Sequence, residues 1–341
     1  MNKLSFAFTI CANNYLAHVK ALSESWKEHN PDTKFLLFLV DEINPLVDYS
    51  FLEEDQLFPI EKVNIPDFEN LVLKYNITEL STVVKPYIFE MLFGQYKADK
   101  IIFLDPDIYI FQPLTEVLDA LDENNIVIIP HIMSGIDDDF QPTDYHTLNG
   151  GVYNLGFIAL SDYSKIKGFL DWWNSRTTKY GYGRLEKNMF YDQIWINYVP
   201  CFYDNYNILK HPGYNVANWN LHERFISKTP KGEFIVNDKF PLVFFHYSGY
   251  KFTNPESIGF YHTRYNFISR PDLRPVFDIY QAALVENNVA FLKTIPCVYF
   301  EQYKLNQERL RREFERSRPH LFMRVFNKVV LNLKNRRRVL N

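Results

Sequence analysis

The sequence predicts an α/β fold in which a mostly parallel, Rossmann-like central sheet has helices on both faces. Ser5–Cys11 and residues 35–40 are continuous apolar runs, and residues 15–29 between them carry apolar side chains at helical spacing. Strand, helix and strand in this order form a βαβ unit, which implies parallel strands covered on both faces. A further helical pattern over residues 82–93 leads directly into the apolar run 101–104, which predicts another strand.

The composition allows a large core and excludes several classes of protein. The chain has 341 residues, 47% of them hydrophobic and 17% aromatic, which excludes collagen, disordered chains and small disulfide scaffolds. Cys11, Cys201 and Cys297 show neither CxxC nor zinc-ligand spacing, a usage typical of the reducing cytoplasm. No stretch approaches the roughly 20 apolar residues of a membrane span. We therefore expect a cytoplasmic protein.

Charge divides the chain into an acidic body and a basic tail. The net charge is −4, but residues 301–341 hold 12 Lys and Arg against 4 Asp and Glu, which leaves the rest of the chain at −12. We predict one domain over residues 1–260 and a helical C-terminal region over 261–341. Residues 319–341 are typical of an interfacial helix that binds an anionic membrane surface; a helix docked on the body is the alternative. No recognised nucleic-acid module accompanies the tail, so we expect no nucleic-acid partner.

The segment Asp105-Pro106-Asp107, directly after the run 101–104, is a candidate metal site. Pro106 fixes its own φ and disfavours α geometry at Asp105, so we expect an extended step with both carboxylates on one side. Hard cations such as Mg²⁺ or Mn²⁺ bind such oxygens and accept diphosphate oxygens as further ligands. The same residues also form ordinary turns. Ligands of open α/β sheets gather at the carboxyl ends of strands, which favours the site.

Other segments have compositions that suit either a site or plain structure. Residues 137–139 are three aspartates in a loop, either a rival metal site or a solvated segment. Residues 148–160 contain glycines that allow close approach of a ligand or form a bulge. Residues 211–224 are dense in aromatic and amide side chains, which recognise sugars or pack beneath an active site. Of the nine histidines, His246 follows a strand-like run and precedes a Ser-Gly turn, which favours a ligand role.

The order of these motifs resembles the GT-A glycosyltransferases, and most closely the family 8-like retaining enzymes of bacterial polysaccharide and lipopolysaccharide assembly. The resemblance covers roughly residues 5–260, and it implies a GT-A catalytic domain followed by a C-terminal helical extension. It is carried by six segments: Asn13-Asn14-Tyr15, Lys85-Pro86-Tyr87, Asp105-Pro106-Asp107, Tyr153-Asn154-Leu155-Gly156, Asp192-Gln193 and His246-Tyr247-Ser248-Gly249. Each segment is common alone, whereas the ordered set is specific.

The resemblance implies a divalent ion, Mn²⁺ or Mg²⁺, held by Asp105, Asp107 and His246. A mixed set of carboxylate and imidazole ligands suits Mn²⁺ better than Mg²⁺. The ion would bridge the donor diphosphate and, as a Lewis acid, stabilise the departing nucleotide.

Further roles follow from the same resemblance. Lys85 stands where the family often has arginine and could pair with phosphate or with Asp105, and Lys251 lies one residue closer to His246 than in the closest family pattern. In a retaining reaction Asp192 or Gln193 could stabilise an oxocarbenium-like centre, with or without a covalent intermediate. The residues implied to bind the donor are Asn13, Asn14, Tyr15, Lys85, Asp105, Gly249 and Lys251; those implied to face the donor sugar are Asn154, Asp192 and Gln193.

These observations lead to a functional hypothesis. We expect a metal-dependent hexosyltransferase that moves a hexose, UDP-linked by preference, to a glycan or lipid-linked acceptor in bacterial surface polysaccharide synthesis. It would act as a peripheral protein on the inner face of the cytoplasmic membrane. One alternative is a sugar-nucleotide nucleotidyltransferase, although the turn after the first strand lacks the Gly-rich, Arg-containing loop of that class. The other is an inactive carbohydrate-binding relative, which would be favoured if Asp105, Asp107 and His246 failed to converge.

Overall fold

A computed structural model describes residues 4–317 of the chain. Its strands are β1 Ser5–Cys11, β2 Lys34–Leu39, β3 Leu57–Pro59, β4 Lys100–Leu104, β5 Ile108–Ile110, β6 Ile126–Ile128, β7 Phe157–Ser161, β8 Gly183–Arg184, β9 Met189–Phe190, β10 Tyr206–Ile208, β11 Val216–Ala217, β12 Ile226–Lys228, β13 Phe234–Val236, β14 Phe240–Pro241 and β15 Phe244–His246. Its helices are α1 Leu16–His29, α2 Phe68–Lys74, α3 Ile77–Val83, α4 Lys85–Gly94, α5 Thr115–Glu123, α6 Asp144–Gly150, α7 Tyr163–Tyr180, α8 Val199–Phe202, α9 Arg274–Glu286 and α10 Val289–Leu292. The chain is helical again over residues 298–317.

Seven strands form the central sheet, in the order β10-β6-β7-β4-β1-β2-β3. All neighbouring pairs are parallel except the two made by β7, which runs antiparallel to both β4 and β6. The predicted α/β class with a mostly parallel central sheet is therefore confirmed, and β1 has the predicted bounds. The antiparallel β7 means that its carboxyl end lies at the edge of the sheet opposite to those of β1 and β4.

A core packs against each face of this sheet because neighbouring side chains of a strand point to opposite sides. On β1, Ala7 and Cys11 join the core that contains α1 and α9, while Phe6, Phe8 and Ile10 join the core that contains α4 and α7. Helix α9 contributes buried side chains to the first core, so part of the predicted C-terminal region packs onto the sheet. The domain boundary near residue 260 stays a prediction.

A small second sheet, in the order β11-β15-β5, stands beside the carboxyl end of β4. Strand β15 pairs antiparallel with β5, so that His246 lies opposite Ile108, and parallel with β11, so that His246 also lies opposite Ala217. The Tyr247 N–H donates to the Asp107 carbonyl at 2.9 Å. This ladder carries His246 to the Asp105–Asp107 segment from a distant part of the chain.

The helical pattern predicted over residues 82–93 is two helices in the structure. Helix α3 ends at Val83, and α4 begins at Lys85 with Pro86 in its first turn. Proline is tolerated there because the first turn lacks intrahelical N–H partners, so Pro86 starts a helix and does not interrupt one. A capping box of Asn76 and Glu79 starts α3, earlier than expected.

Within residues 4–317, none of the helices combines the length and the apolar character that crossing a membrane requires. The interfacial helix predicted over residues 319–341 lies outside the described part of the chain.

Candidate active site

A cavity of about 380 Å³ opens at the carboxyl ends of β1 and β4. Most of the side chains that the sequence singled out line it together, although they come from six separate segments. These residues are Asn14, Tyr15, Lys85, Asp105, Asp107, Asn154, Asp192, Gln193 and His246.

Asp105, Asp107 and His246 converge as a group able to hold a metal ion. One ligand atom from each lies within 4.8 Å of the others, and the His246 Nε2 atom is 3.2 Å from Asp107 Oδ1 and 3.8 Å from Asp105 Oδ2. The segment is a turn, because the Ile108 N–H donates to the Asp105 carbonyl at 3.2 Å. The extended step expected there was wrong, since proline at the second position of a β-turn favours closure as readily as extension.

The charges of this triad interact strongly. Burial raises the pKa of Asp105 to about 6, against the opposing effect of the cations Lys85 and His246. Burial acts in the same direction on Asp107, but the adjacent His246 outweighs it and holds the pKa of Asp107 below its usual value. Burial also disfavours the charged form of His246, and the carboxylate of Asp107 raises its pKa nonetheless. The positive charge of a protonated His246 therefore offsets part of the negative charge of the two carboxylates.

A chain of amide side chains fixes the ring of His246. Its Nδ1 atom lies 3.2 Å from Asn215 Oδ1, and Asn215 Nδ2 donates to Asn154 Oδ1 at 3.2 Å. Because the Asn215 oxygen can only accept, the proton of a neutral His246 is on Nδ1, and the lone pair of Nε2 faces Asp105 and Asp107. This is the tautomer that a metal ligand needs, and an acceptor on the other ring nitrogen commonly orients such a ring.

The same network continues to the residues expected to face the sugar. Asn154 Nδ2 lies 3.1 Å from His131 Nε2. Gln193 accepts from the Leu155 N–H at 2.8 Å and donates to the Gly150 carbonyl at 3.0 Å. The Gln193 amide is thus bonded at both ends to the backbone of the segment that carries Asn154, so it positions that segment.

Gly156 leaves the space in which the triad meets. A Cβ atom at this position would lie 2.4 Å from His246 Cε1, 2.8 Å from Asp105 Oδ2 and 2.9 Å from Asn154 Oδ1. Any side chain here would push apart His246, Asp105 and the amide of Asn154. The glycine is thus required by close approach of side chains.

Among the described side chains, Lys85 forms its ion pair with Asp192 and not with Asp105, and pairing with phosphate stays a prediction. Its buried ammonium lies 2.7 Å from Asp192 Oδ2, donates to the Leu155 carbonyl at 3.0 Å and stands 4.0 Å from the ring centroid of Phe103. Burial raises the pKa of Asp192, and Lys85 opposes that rise. Asp192 is therefore the ion-pair partner of Lys85, while the charge of Lys85 also lowers the pKa of Asp105.

Three residues expected to bind the donor lie outside the cavity lining. Asn13 is buried: its side chain donates to Asp41 Oδ2 at 3.0 Å and to the Glu42 carbonyl at 2.8 Å. Gly249 has φ of +74°, and Lys251 is exposed, its ammonium 4.8 Å from the ring centroid of Phe260. Asn13 holds the turn after β1, whereas its neighbours Asn14 and Tyr15 reach the cavity.

Sequence reasoning missed one wall of the cavity. Helix α3 presents Thr78, Ser81 and Thr82 to it, three hydroxyl residues at the spacing of one helix face. The capping box of Asn76 and Glu79 was the available signal, because it starts a helix at Ile77, five residues before the predicted pattern began. Tyr191, which has φ of +53°, lies beside them.

Of the three segments with ambiguous compositions, 148–160 lines the cavity through Asn154, Leu155 and Gly156, whereas 137–139 and 211–224 do not. Asp138 pairs with Arg264, whose Nε is 2.9 Å from Asp138 Oδ2, and in the described chain the Asp105 triad is the group of acidic, His or Cys side chains that could hold a metal. Among the described residues that line the cavity, none comes from 211–224. That segment packs against the site from outside: Trp219 meets the rings of His246 and His131 edge-on.

No protein-family model matches the chain. A curated relative, the uncharacterized protein YfnF of Bacillus subtilis (strain 168), is 23% identical over 290 residues, which cover 81% of this chain and 90% of YfnF. Among solved structures, the chain is similar to the bifunctional glycosyltransferase WbbM, with 15% identity, a TM-score of 0.44 and coverage of 89% of this chain. It spans only 52% of the WbbM chain.

Two further structures are about equally similar. The galactosyltransferase LgtC, in complex with donor and acceptor sugar analogs, shares 15% identity with a TM-score of 0.45, covering 87% of this chain and 99% of LgtC. The glycosyltransferase GlyE of Streptococcus pneumoniae TIGR4 shares 16% identity with a TM-score of 0.44, covering 87% of this chain and 66% of GlyE. Likenesses this distant assign no activity, so the function must be argued from the side chains of the site.

Proposed function

We propose that the protein is a metal-dependent GT-A glycosyltransferase that moves a hexose from a UDP-linked donor to a glycan or lipid-linked acceptor with retention of configuration. One observation carries the proposal: Asp105, Asp107 and a correctly oriented His246 share a cavity with Asn154 and Asp192. A metal-ligand group alone could bind any cation, and a polar cavity alone could bind any sugar. Their combination suits a donor that has both a diphosphate and a sugar.

The donor set fits a divalent ion. Two carboxylates and one imidazole suit Mn²⁺, the tautomer of His246 is fixed by Asn215, and Gly156 leaves room at the meeting point. When bound, such an ion would supply Lewis-acid stabilisation to the departing nucleoside diphosphate. Asp105, Asp107 and His246 are the residues that would hold it.

The remaining side chains divide into two roles. Asp192 and Gln193 are the two candidates to stabilise positive charge on the sugar. Gln193 is already bonded to the backbone at both ends of its amide, which leaves Asp192 for this role. Lys85 holds Asp192 in place at 2.7 Å. Asn154, linked to His131 and Asn215, presents an amide edge toward the same space. We assign Asp192 to the chemistry and Gln193 to positioning.

The charge of the basic tail supports a location of the protein at the membrane surface. A body at −12 and a tail at +8 favour attachment of the tail to anionic lipid at the inner face of the cytoplasmic membrane, where lipid-linked acceptors of bacterial surface glycans are found. Deletion of residues 319–341 should lower binding to anionic liposomes and spare turnover with a soluble acceptor. Unchanged liposome binding would refute this role of the tail.

A panel of nucleotide-sugar donors tests the activity. The protein is incubated with each donor and Mn²⁺, and release of UDP or GDP is measured without added acceptor. We expect slow hydrolysis of one UDP-hexose and its loss in excess chelator. Turnover that persists in chelator would refute the metal role, and release of pyrophosphate from UTP with a sugar phosphate would indicate the nucleotidyltransferase alternative.

A further inference from the structure

A cation from the C-terminal region stands over the turn after β1. Lys293, directly after α10, places its ammonium 3.9 Å from the ring centroid of Tyr15, which lines the cavity. The other face of that ring is covered by His18, stacked at 4.2 Å with an interplanar angle of 20°. Because an imidazole stacked at that distance fills one face, the ammonium must cover the other.

The positive groups among the described residues that line the cavity already have carboxylate partners, so a diphosphate there would need a further cation. Lys85 is paired with Asp192, and the charge of a divalent ion on Asp105 and Asp107 would be balanced by those carboxylates. In residues 4–317, no carboxylate lies within ion-pair distance of the Lys293 ammonium. It is near enough to the site for the negative charge of Asp107 to oppose the lowering of its pKa that burial causes.

We propose that Lys293 is a donor-binding residue whose ammonium leaves the face of Tyr15 and pairs with the diphosphate when a nucleotide-sugar enters. This inference rests on the proposed function, because it requires a nucleoside diphosphate in the cavity. It assigns part of the site to residues beyond 260, outside the segments that carry the family resemblance.

The magnitudes favour this transfer. A cation over an aromatic ring at an accessible site contributes less binding energy than a hydrogen bond between charged groups. The four-carbon stem of lysine allows the movement without a change in the backbone of α10.

Nucleotide binding to the full-length, Mn²⁺-loaded protein tests the proposal. The ligands are UDP, GDP and the matching nucleosides, which lack phosphate, and the method is calorimetric titration. Lys293→Met should weaken binding of the preferred diphosphate by about 10- to 100-fold and leave nucleoside and Mn²⁺ binding within about twofold. Lys293→Arg, which keeps the charge, should stay within about threefold of the wild type for the diphosphate.

Lys165→Met is the matched control. It removes the same charge from an exposed position just after β7, at the opposite edge of the sheet, and should leave diphosphate binding unchanged. Wild-type affinity of Lys293→Met for the diphosphate would overturn the proposal, and so would equal losses for diphosphate and nucleoside, which indicate a structural role. If the wild type bound neither diphosphate, the proposed function would fall, and this inference with it.

Discussion

Asp41 and Asp107 follow two strands that flank β1 at the same edge of the sheet, but their carboxylates have opposite surroundings. Asp41 is fully buried, and its oxygens accept from the N–H groups of Glu42 and Val298 and from two donors of Asn13. Asp107 faces His246 and the cavity. A carboxylate at a strand end is thus a ligand candidate only where its lone pairs are left available, which depends on the neighbouring backbone.

The largest effect on the site is expected from Asp107→Asn. Loss of a second-shell partner typically costs 10- to 100-fold in metal affinity, so replacing a direct anionic ligand should cost more than about 100-fold and abolish turnover. The free energy of unfolding should change by only about 1 kcal/mol, because the new amide has the size of the carboxylate and can still hydrogen-bond to His246. Mn²⁺ titration, donor hydrolysis and urea unfolding measure the three quantities. Wild-type turnover in this variant would contradict the assignment.

An intermediate effect is expected from Gly156→Ala, which inserts a Cβ atom 2.4 Å from His246 Cε1. Displacement of His246 and Asp105 should reduce Mn²⁺ affinity by about 10- to 100-fold. Gly168→Ala is the matched control, because no atom lies within 4 Å of a Cβ atom there, in the middle of α7. It should leave Mn²⁺ affinity unchanged and stabilise the fold by about 0.5–1 kcal/mol. Equal Mn²⁺ affinity in the two variants would show that the crowding is relieved without moving the ligands.

The smallest effect on the site is expected from Asp41→Asn, the counterpart of the first variant. Its new amide group would face two donors of Asn13, and loss of their shared acceptor should lower the free energy of unfolding by about 2–4 kcal/mol. Mn²⁺ affinity of the folded protein should remain within about twofold of the wild type. Urea unfolding and Mn²⁺ titration separate these outcomes, and a large loss of metal affinity would mean that the two turns are coupled.

Much of this arrangement could be predicted from the sequence, for a physical reason. The apolar runs of β1 and β4 are local patterns, and the carboxyl ends of parallel strands meet at one edge, so the positions of Tyr15 and Asp107 follow from short stretches of chain. The resemblance to a family added the convergence of His246.

What could not be predicted depends on competition between partners. Lys85 could have paired with either Asp105 or Asp192. In the structure its buried ammonium donates to the Leu155 carbonyl and pairs with Asp192. Asn13 and Asn14 are chemically identical neighbours, yet one is bonded to Asp41 and the other reaches the cavity. The partner of each such side chain depends on residues that are close in the fold but distant in the sequence, so residue spacing does not predict it.

The ladder between β5 and β15 determines how early the site can form while the polypeptide is being synthesised. It joins candidate ligands about 140 positions apart, so a ribosome must have made more than two thirds of the polypeptide before the imidazole can meet the carboxylates. In the proposed metal site, the pair of aspartates alone offers a nascent chain fewer ligands than the complete group. Loading with metal would then report that translation and long-range pairing are both complete.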